Sequence, residues 1–240
     1  MSQIKSGHTV TAFDNEIAEI AISINAMSDA ATRALDASID ALVHGDTERA
    51  QELIAQDLHL DDLESELEKM VMRSMALRAP VADDLRYLVM ALRIGAMLER
   101  SGDHAKNIAK RVGVVDFSSA VPLMHKVREM SRLGNSMLAQ SVDCFNRGEA
   151  GLAVVVRDRD AQLNELFETV TEMIALAMRE DEAFIASGVQ LLFIAKQLER
   201  VGDYAKNIAK RSVVLSQSPP LGPAKSINRM ATLVQGMIKD

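Results

Sequence analysis

Two pairs of carboxylates occur at helical spacing in this sequence. Glu99 and Asp103 are four residues apart, and Glu199 and Asp203 repeat the same spacing. Residues four apart project from one face of an α-helix, where like charges repel by about 0.2–0.5 kcal/mol unless something neutralises them. Each pair is therefore a candidate for holding a cation.

Further oxygen-bearing side chains occur at the same spacing in an earlier helix of each half of the chain. If that earlier helix packs against the helix that carries the Glu–Asp pair, each half of the chain brings four oxygen ligands together. Oxygen ligation suits hard cations, and it favours magnesium, calcium, manganese or iron over thiolate-bound zinc. The candidate ligands are Asp57, Asp61, Glu99 and Asp103 in the first half, and Asp160, Asn164, Glu199 and Asp203 in the second.

A solvated helix face is the alternative explanation of these carboxylates. Gly102 and Gly202 argue against it, because glycine inside a helix costs about 1 kcal/mol relative to alanine. Their presence indicates close backbone packing or an approaching ligand. Asn107 and Asn207 lie one turn further along and could hydrogen-bond the ligands.

Other chemistry-bearing residues give weaker signals. His104 and Tyr204 occupy matching positions in the two halves, so we expect His104 to be a surface residue and not an essential ligand. No Glu-x-x-His pair of the di-iron type occurs, which disfavours an oxygen-activating enzyme. Cys144 has no nearby base in the sequence and is expected to be a small buried apolar residue.

Apolar periodicity places these residues on long helices. Spacings of three and four predict a helix over 13–43, which ends at Gly45. A second helix is predicted from Asp46 to about Arg78. The third runs from just after Pro80 to about Arg111.

The three-helix pattern occurs twice. An offset of 103 aligns the first two helices with their counterparts, and an offset of 100 aligns the third, where 98–111 and 198–211 are identical at 12 of 14 positions. Such self-similarity indicates an internal duplication. We predict an all-α, pseudo-twofold protein of two tandem antiparallel three-helix bundles at 10–115 and 120–215, followed at 216–240 by a linker and an extra helix.

Composition and charge limit the function classes. Of 240 residues, 48% are apolar and 25% charged, which is typical of a folded globular protein. A net charge of −7 and 3% aromatic residues argue against nucleic-acid binding. The longest uncharged stretches are too short to span a bilayer, and the N-terminus has no apolar signal core. A cytoplasmic protein is expected.

Specific motifs carry a resemblance to a known family. The pattern Leu-Glu-Arg-x-Gly-Asp-x-Ala-x-Asn-Ile-Ala, present twice, and the segment 78–86 are similar to the signature of the PhoU family of phosphate-uptake and phosphate-signalling regulators. The resemblance spans residues 13–212. It implies a cytoplasmic negative regulator of the phosphate-starvation response that couples the ATPase subunit of the phosphate ABC transporter to a sensor histidine kinase.

The resemblance also implies metal sites, because some members bind iron or zinc clusters through paired Glu/Asp-x-x-x-Asp motifs. It assigns Asp57, Asp61, Glu99 and Asp103 to one site, and Asp160, Glu199 and Asp203 to the other, where Asn164 departs from the carboxylate pattern. We expect a non-enzymatic adaptor that forms a homodimer and reaches the membrane only through its partners. A carboxylate-bridged metalloenzyme and a structural oligomerisation module are the competing hypotheses.

The extra C-terminal helix is predicted from a third partial repeat. Ile227, Met230, Leu233 and Met237 repeat the spacing of Val127, Met130, Leu133 and Met137 after a linker rich in proline and glycine. A lone helix of this length is marginal. We expect it to dock on a bundle or on another subunit.

Overall fold

The computed structural model describes residues 3–56, 58–80, 83–116 and 121–217. Within these ranges the chain is helical without strands, which confirms the all-α prediction. The predicted C-terminal helix lies outside the described residues. The helices are α1 Gln3–His44, α2 Thr47–Gln56, α3 Leu58–Arg78, α4 Asp83–Ala109, α5 Val121–Arg147, α6 Ala150–Glu180 and α7 Ile185–Gln217, the last preceded by a short 3-10 turn at Glu182–Phe184.

Helix ends follow the local sequence signals. Gly45 takes φ +65° at the end of α1, and Gly148 takes the same value at the end of α5. Asp46 then caps α2, because its Oδ1 accepts a hydrogen bond from the backbone N–H of Arg49 at 2.9 Å. The single second helix predicted for the first repeat is wrong: the structure has α2 and α3 there, and only the second repeat has one helix, α6.

Each repeat buries the apolar stripes of its helices against one another. Helices α1, α3 and α4 pack together in the first repeat, with α2 against α1 and α4, while α5, α6 and α7 pack together in the second. The core is aliphatic and draws on every bundle helix. Its fully buried side chains include Ile17, Ile24, Leu67, Leu98, Met130, Leu163, Ile174 and Leu198.

A leucine packs on the mid-helix glycine of each repeat. In the first repeat, the Leu60 side chain on α3 occupies the space that a Cβ on Gly102 would need. In the second repeat, Leu163 on α6 does the same at Gly202. Of the two explanations for these glycines, close packing is therefore the one the structure supports, and they give no separate evidence for a ligand.

The two repeats pack against each other through equivalent helices. α1 contacts α5, and α4 contacts α7. Both pairs are antiparallel. Asn146 of α5 donates to Asn25 of α1, while Arg128 of α5 pairs with Asp40 further along α1. In the other pair, His104 of α4 stacks on Tyr204, while Arg111, just after α4, lies over Phe193 earlier in α7. Pairing of equivalent helices in opposite directions is what a pseudo-twofold relation between the repeats requires.

His104 lies in this interface, so the expectation of a surface position is wrong. Its side chain is 7% exposed. The Nδ1–H donates to Oε1 of Gln197 at 2.5 Å, and the ring stacks on Tyr204, its own repeat equivalent, with centroids 5.6 Å apart. Burial lowers the pKa of His104 from its usual range, which favours the neutral ring. Its role is to join the repeats.

Cys144 fulfils the sequence expectation. It is 1% exposed, and its thiol donates weakly to the Glu149 carbonyl at 3.4 Å. Desolvation raises the pKa of Cys144 to about 11, so the thiol stays protonated at neutral pH.

The first residues of the 78–86 segment, Arg78 and Ala79, lie at the end of α3. Arg78 binds Oε1 of Glu16 on α1 through Nε at 3.0 Å and Nη2 at 2.6 Å, and Ser74 donates to Oε2 of the same carboxylate. The next residue, Ala79, has φ 44°, a left-handed conformation that ends α3. These contacts fasten the end of α3 to α1 and give part of the family-like motif a structural role.

The leucine–glycine contacts predict a graded response to added methyl groups. Gly202→Ala should lower the free energy of unfolding by about 1–3 kcal/mol, the usual cost of overpacking a core. Gly102→Ala should cost less, because Leu60 borders about 340 Å³ of open space into which its side chain can shift. Urea denaturation followed by circular dichroism measures both.

Gly151→Ala is the matched control, since a Cβ there meets nothing within 4 Å. It should leave stability unchanged or raise it by up to about 1 kcal/mol through helix propensity. Equal stabilisation by all three substitutions would contradict the packing argument.

The Glu16–Arg78 pair predicts a pH-dependent contribution to stability. The hydrogen bond from Arg78, opposed by burial, lowers the pKa of Glu16 below 4.5. The carboxylate therefore stabilises the fold fully above pH 4.5 and loses this effect as pH falls through its lowered pKa. Glu16→Gln should destabilise the protein by about 1 kcal/mol at pH 7, and the difference from wild type should shrink at pH 3.

Thermal unfolding from pH 3 to pH 7 measures this difference. Glu19→Gln, an exposed change on the same helix, serves as control. A Glu16→Gln effect that stays constant across the range would show that the ion pair is not its cause.

Candidate metal centres

The first candidate centre lies along α3 and α4. Asp61 is exposed on α3, whereas Glu99 and Asp103 are partly buried on α4. Asp103 has a cationic neighbour, because Nζ of Lys106 lies 3.4 Å from its Oδ1. Asp57, the fourth predicted ligand, lies outside the described residues.

In the second candidate centre, two of the predicted carboxylate ligands bind the side chain of Lys206. Asp160 on α6 is 8% exposed, and Nζ of Lys206 on α7 donates to its Oδ2 at 2.8 Å. The same ammonium group donates to Oδ1 of Asp203 at 2.9 Å. Two of the predicted ligands, one from each helix, are thus brought together around one cation.

The other two residues of the second centre lie one turn away along the same two helices. Glu199 is 15% exposed, and its Oε2 lies 2.7 Å from Nζ of Lys196. Asn164 is partly buried on α6, one turn after Asp160. The cations that neutralise the α7 carboxylates therefore lie three residues before Glu199 and three after Asp203 on the same helix.

Hydrogen bonding makes Lys206 a strongly held cation. Burial acts to lower its pKa, but the bonds to Asp160 and Asp203 outweigh burial and raise the pKa above its usual value. The ammonium stays protonated through the physiological range. It stands where a divalent cation bridging the same two carboxylates would have to be.

The residues fit an oxygen-ligated metal only in part. Among the described side chains, no three carboxylate, histidine or cysteine groups converge into a metal-binding cluster. Asp160 and Asp203 do converge from two helices on one positive charge, so they would supply two of the oxygen ligands of a hard cation. A metal at this position would have to displace Lys206.

Comparison with known proteins identifies the family. The model of the PhoU domain matches residues 24–112 and again residues 127–212, one match in each repeat. The chain belongs to the PhoU family. The two matches coincide with the two bundles, so the tandem-bundle architecture and the resemblance drawn from the sequence motifs are confirmed.

Relatives with this domain are similar over most of their length. A phosphate-specific transport system accessory protein PhoU homolog of Zymomonas mobilis is 35% identical over 204 residues, which cover 85% of this chain and 86% of that protein. The homolog of Xylella fastidiosa strain Temecula1 is 32% identical over 225 residues, covering 94% and 93%.

Solved structures share the fold. PhoU from Pseudomonas aeruginosa superposes with a TM-score of 0.79 at 26% identity, covering 86% of this chain and all of that one. The phosphate transport system regulatory protein PhoU from Streptococcus pneumoniae gives a TM-score of 0.78 at 28% identity, covering 88% and 100%.

Lys206 provides a test of cation binding at the second centre. Lys206→Met removes the ammonium and leaves Asp160 and Asp203 without it, so an added divalent cation no longer has to displace a bound charge. We expect the Kd for Mn²⁺, measured by electron paramagnetic resonance of free Mn²⁺, to fall at least tenfold.

Lys210→Met is the matched control, since Lys210 is an exposed lysine one turn further along α7. It should leave the Mn²⁺ affinity unchanged. If Lys206→Met binds no more Mn²⁺ than wild type does, Asp160 and Asp203 do not form a cation site.

Proposed function

We propose that this protein is a negative regulator of phosphate uptake and of the phosphate-starvation two-component response. The observation that carries the proposal is the pair of PhoU domain matches, one on each bundle. Relatives matched over most of their length bear the name of phosphate-specific transport system accessory proteins. A protein of this kind acts by contact, as a non-enzymatic adaptor.

The adaptor has two partners in this proposal: the ATPase subunit of the phosphate ABC transporter and the membrane-bound sensor histidine kinase. None of the helices within the described residues combines the length and apolar character needed to cross a bilayer. In this proposal the chain acts in the cytoplasm as a homodimer and reaches the membrane only through these partners.

Metal binding at the two carboxylate centres forms part of the proposal. Asp57, Asp61, Glu99 and Asp103 would hold one ion or cluster, and Asp160, Asn164, Glu199 and Asp203 the other. The oxygen donor set favours iron, manganese, magnesium or calcium, and zinc remains among the candidates. Convergence of Asp160 and Asp203 on Lys206 supports the second centre. A bound metal would crosslink α6 to α7 there.

Transcription of phosphate-starvation genes tests the regulatory role. In a deletion strain grown with abundant phosphate, these genes should be expressed at starvation levels, because the repressing contact to the kinase is lost. Quantitative transcript measurement against the parent strain gives the result. Unchanged low expression would rule out the regulatory assignment.

Complementation separates the adaptor from its competitors. Wild-type protein should restore repression, and Glu99→Ala/Asp103→Ala should fail to do so if the metal centre is needed. A purely structural module would be complemented fully by this variant. Glu165→Ala, which removes an exposed carboxylate of α6 outside both centres, serves as the control and should restore repression.

A further inference from the structure

Four helices of the first repeat surround a cavity of about 340 Å³. Its floor is apolar and is made largely of small side chains, so that the backbones of α1 and α4 lie close to the open space. The floor residues are Ala30, Ala34, Ala37, Leu53, Leu60, Gly102 and Ala105.

The rim of this cavity is basic. Arg33 of α1, Arg49 of α2, His59 of α3 and Lys106 of α4 line it, one from each helix, and no carboxylate is among the described lining residues. Glu52 holds Arg49 from one side at 2.7 Å. Arg33 has no ion-pair partner among the described side chains, so its guanidinium is available to a ligand.

The second repeat shows what fills the equivalent space. Ala30 and Ala34 correspond to Leu133 and Met137 at the offset of 103. Met137 is fully buried and reaches Gly202, with Cε 3.4 Å from the position of an added Cβ. Its counterpart Ala34 lines the cavity beside Gly102. The first repeat is hollow because two alanines replace two large side chains.

The basic residues of the rim are also mostly absent from the equivalent positions of the second repeat. Arg33, Arg49 and His59 correspond to Ser136, Leu152 and Gln162. Only Lys106 has a basic counterpart, Lys206, and that lysine is bound to Asp160 and Asp203. Three of the four basic groups of this cavity therefore have no basic counterpart in the second repeat, whose own cavity of about 570 Å³ is lined by a different set that includes Arg157, Lys206 and Lys210.

We propose that this cavity binds a nucleoside phosphate. Arginine presents a planar fork of donors that matches phosphate oxygens, and Arg33 and Arg49 supply two such forks. An apolar floor suits a planar base but contributes nothing to inorganic phosphate. The volume falls within the roughly 300–1,000 Å³ of small-molecule pockets.

This assignment is independent of the regulatory role, because it concerns the purified chain alone. If it holds together with that role, the nucleotide is a small-molecule effector of the adaptor. Failure of the binding test leaves the deletion test untouched, and the reverse is equally true.

Isothermal titration calorimetry of the full chain tests the proposal. The probes are AMP, GMP, CMP and UMP with their diphosphates, and inorganic phosphate and adenosine are the comparison ligands. We expect at least one nucleotide to bind with a Kd below 1 mM, at least tenfold tighter than either comparison ligand.

Two substitutions test whether the nucleotide binds in this cavity. Each introduces the residue found at the equivalent position of the second repeat. Ala34→Met should fill the cavity and Arg33→Ser should remove a phosphate contact, and each should weaken nucleotide binding at least tenfold. Ala26→Met and Arg93→Ser, exposed changes on α1 and α4, should leave it unchanged. Arg33 is exposed, so its variant keeps the fold even if Ala34→Met does not.

Three results would overturn the proposal. The first is that no nucleotide binds below 1 mM. The second is that a bound nucleotide keeps its affinity in Arg33→Ser. The third is that inorganic phosphate binds as tightly as every nucleotide, because the apolar floor then has no part in recognition.

Discussion

In each repeat, the contact between a leucine and a mid-helix glycine sets how two helices, and the carboxylates on them, lie relative to each other. Leu60 lies on Gly102 and Leu163 lies on Gly202, in the space that a glycine Cβ would need, so each contact lets two helices pack closely. In the second repeat this packing joins Asp203, which follows Gly202, to Asp160, which precedes Leu163 by three residues. Both carboxylates accept hydrogen bonds from Lys206.

The duplication fixes the arrangement of the whole chain. Equivalent helices face each other across the pseudo-twofold interface, and even equivalent residues meet there, as His104 stacks on Tyr204. This explains why the window 98–111 is so similar to 198–211: it serves packing within a repeat and packing between repeats. Away from the interface the repeats diverge: the first has a cavity lined by Arg33, Arg49 and His59, and in the second Lys206 joins Asp160 to Asp203.

Periodic apolar residues were sufficient to predict the two bundles and most of their helices, because burial of one helix face leaves a clear pattern. They did not predict the division of the first repeat's second helix into α2 and α3. The interface could not be predicted, since the partner of His104 lies 93 residues away at Gln197. The role of Lys206 was also missed, although its spacing of three from Asp203 was visible. Ala30 and Ala34 could have indicated the cavity, because the larger Leu133 and Met137 occupy the equivalent positions of the second repeat. Their significance is clear only once the structure shows that these positions face the same space.

Close helix packing brings carboxylates from α6 and α7 to one cation position. Crystals soaked in Mn²⁺ and measured by anomalous diffraction test whether a metal ion can occupy it. We predict an anomalous peak between α6 and α7, in contact with Asp160 and Asp203, with the Lys206 side chain turned away. A map with no peak there, and with Lys206 still bound to both aspartates at saturating Mn²⁺, would contradict it.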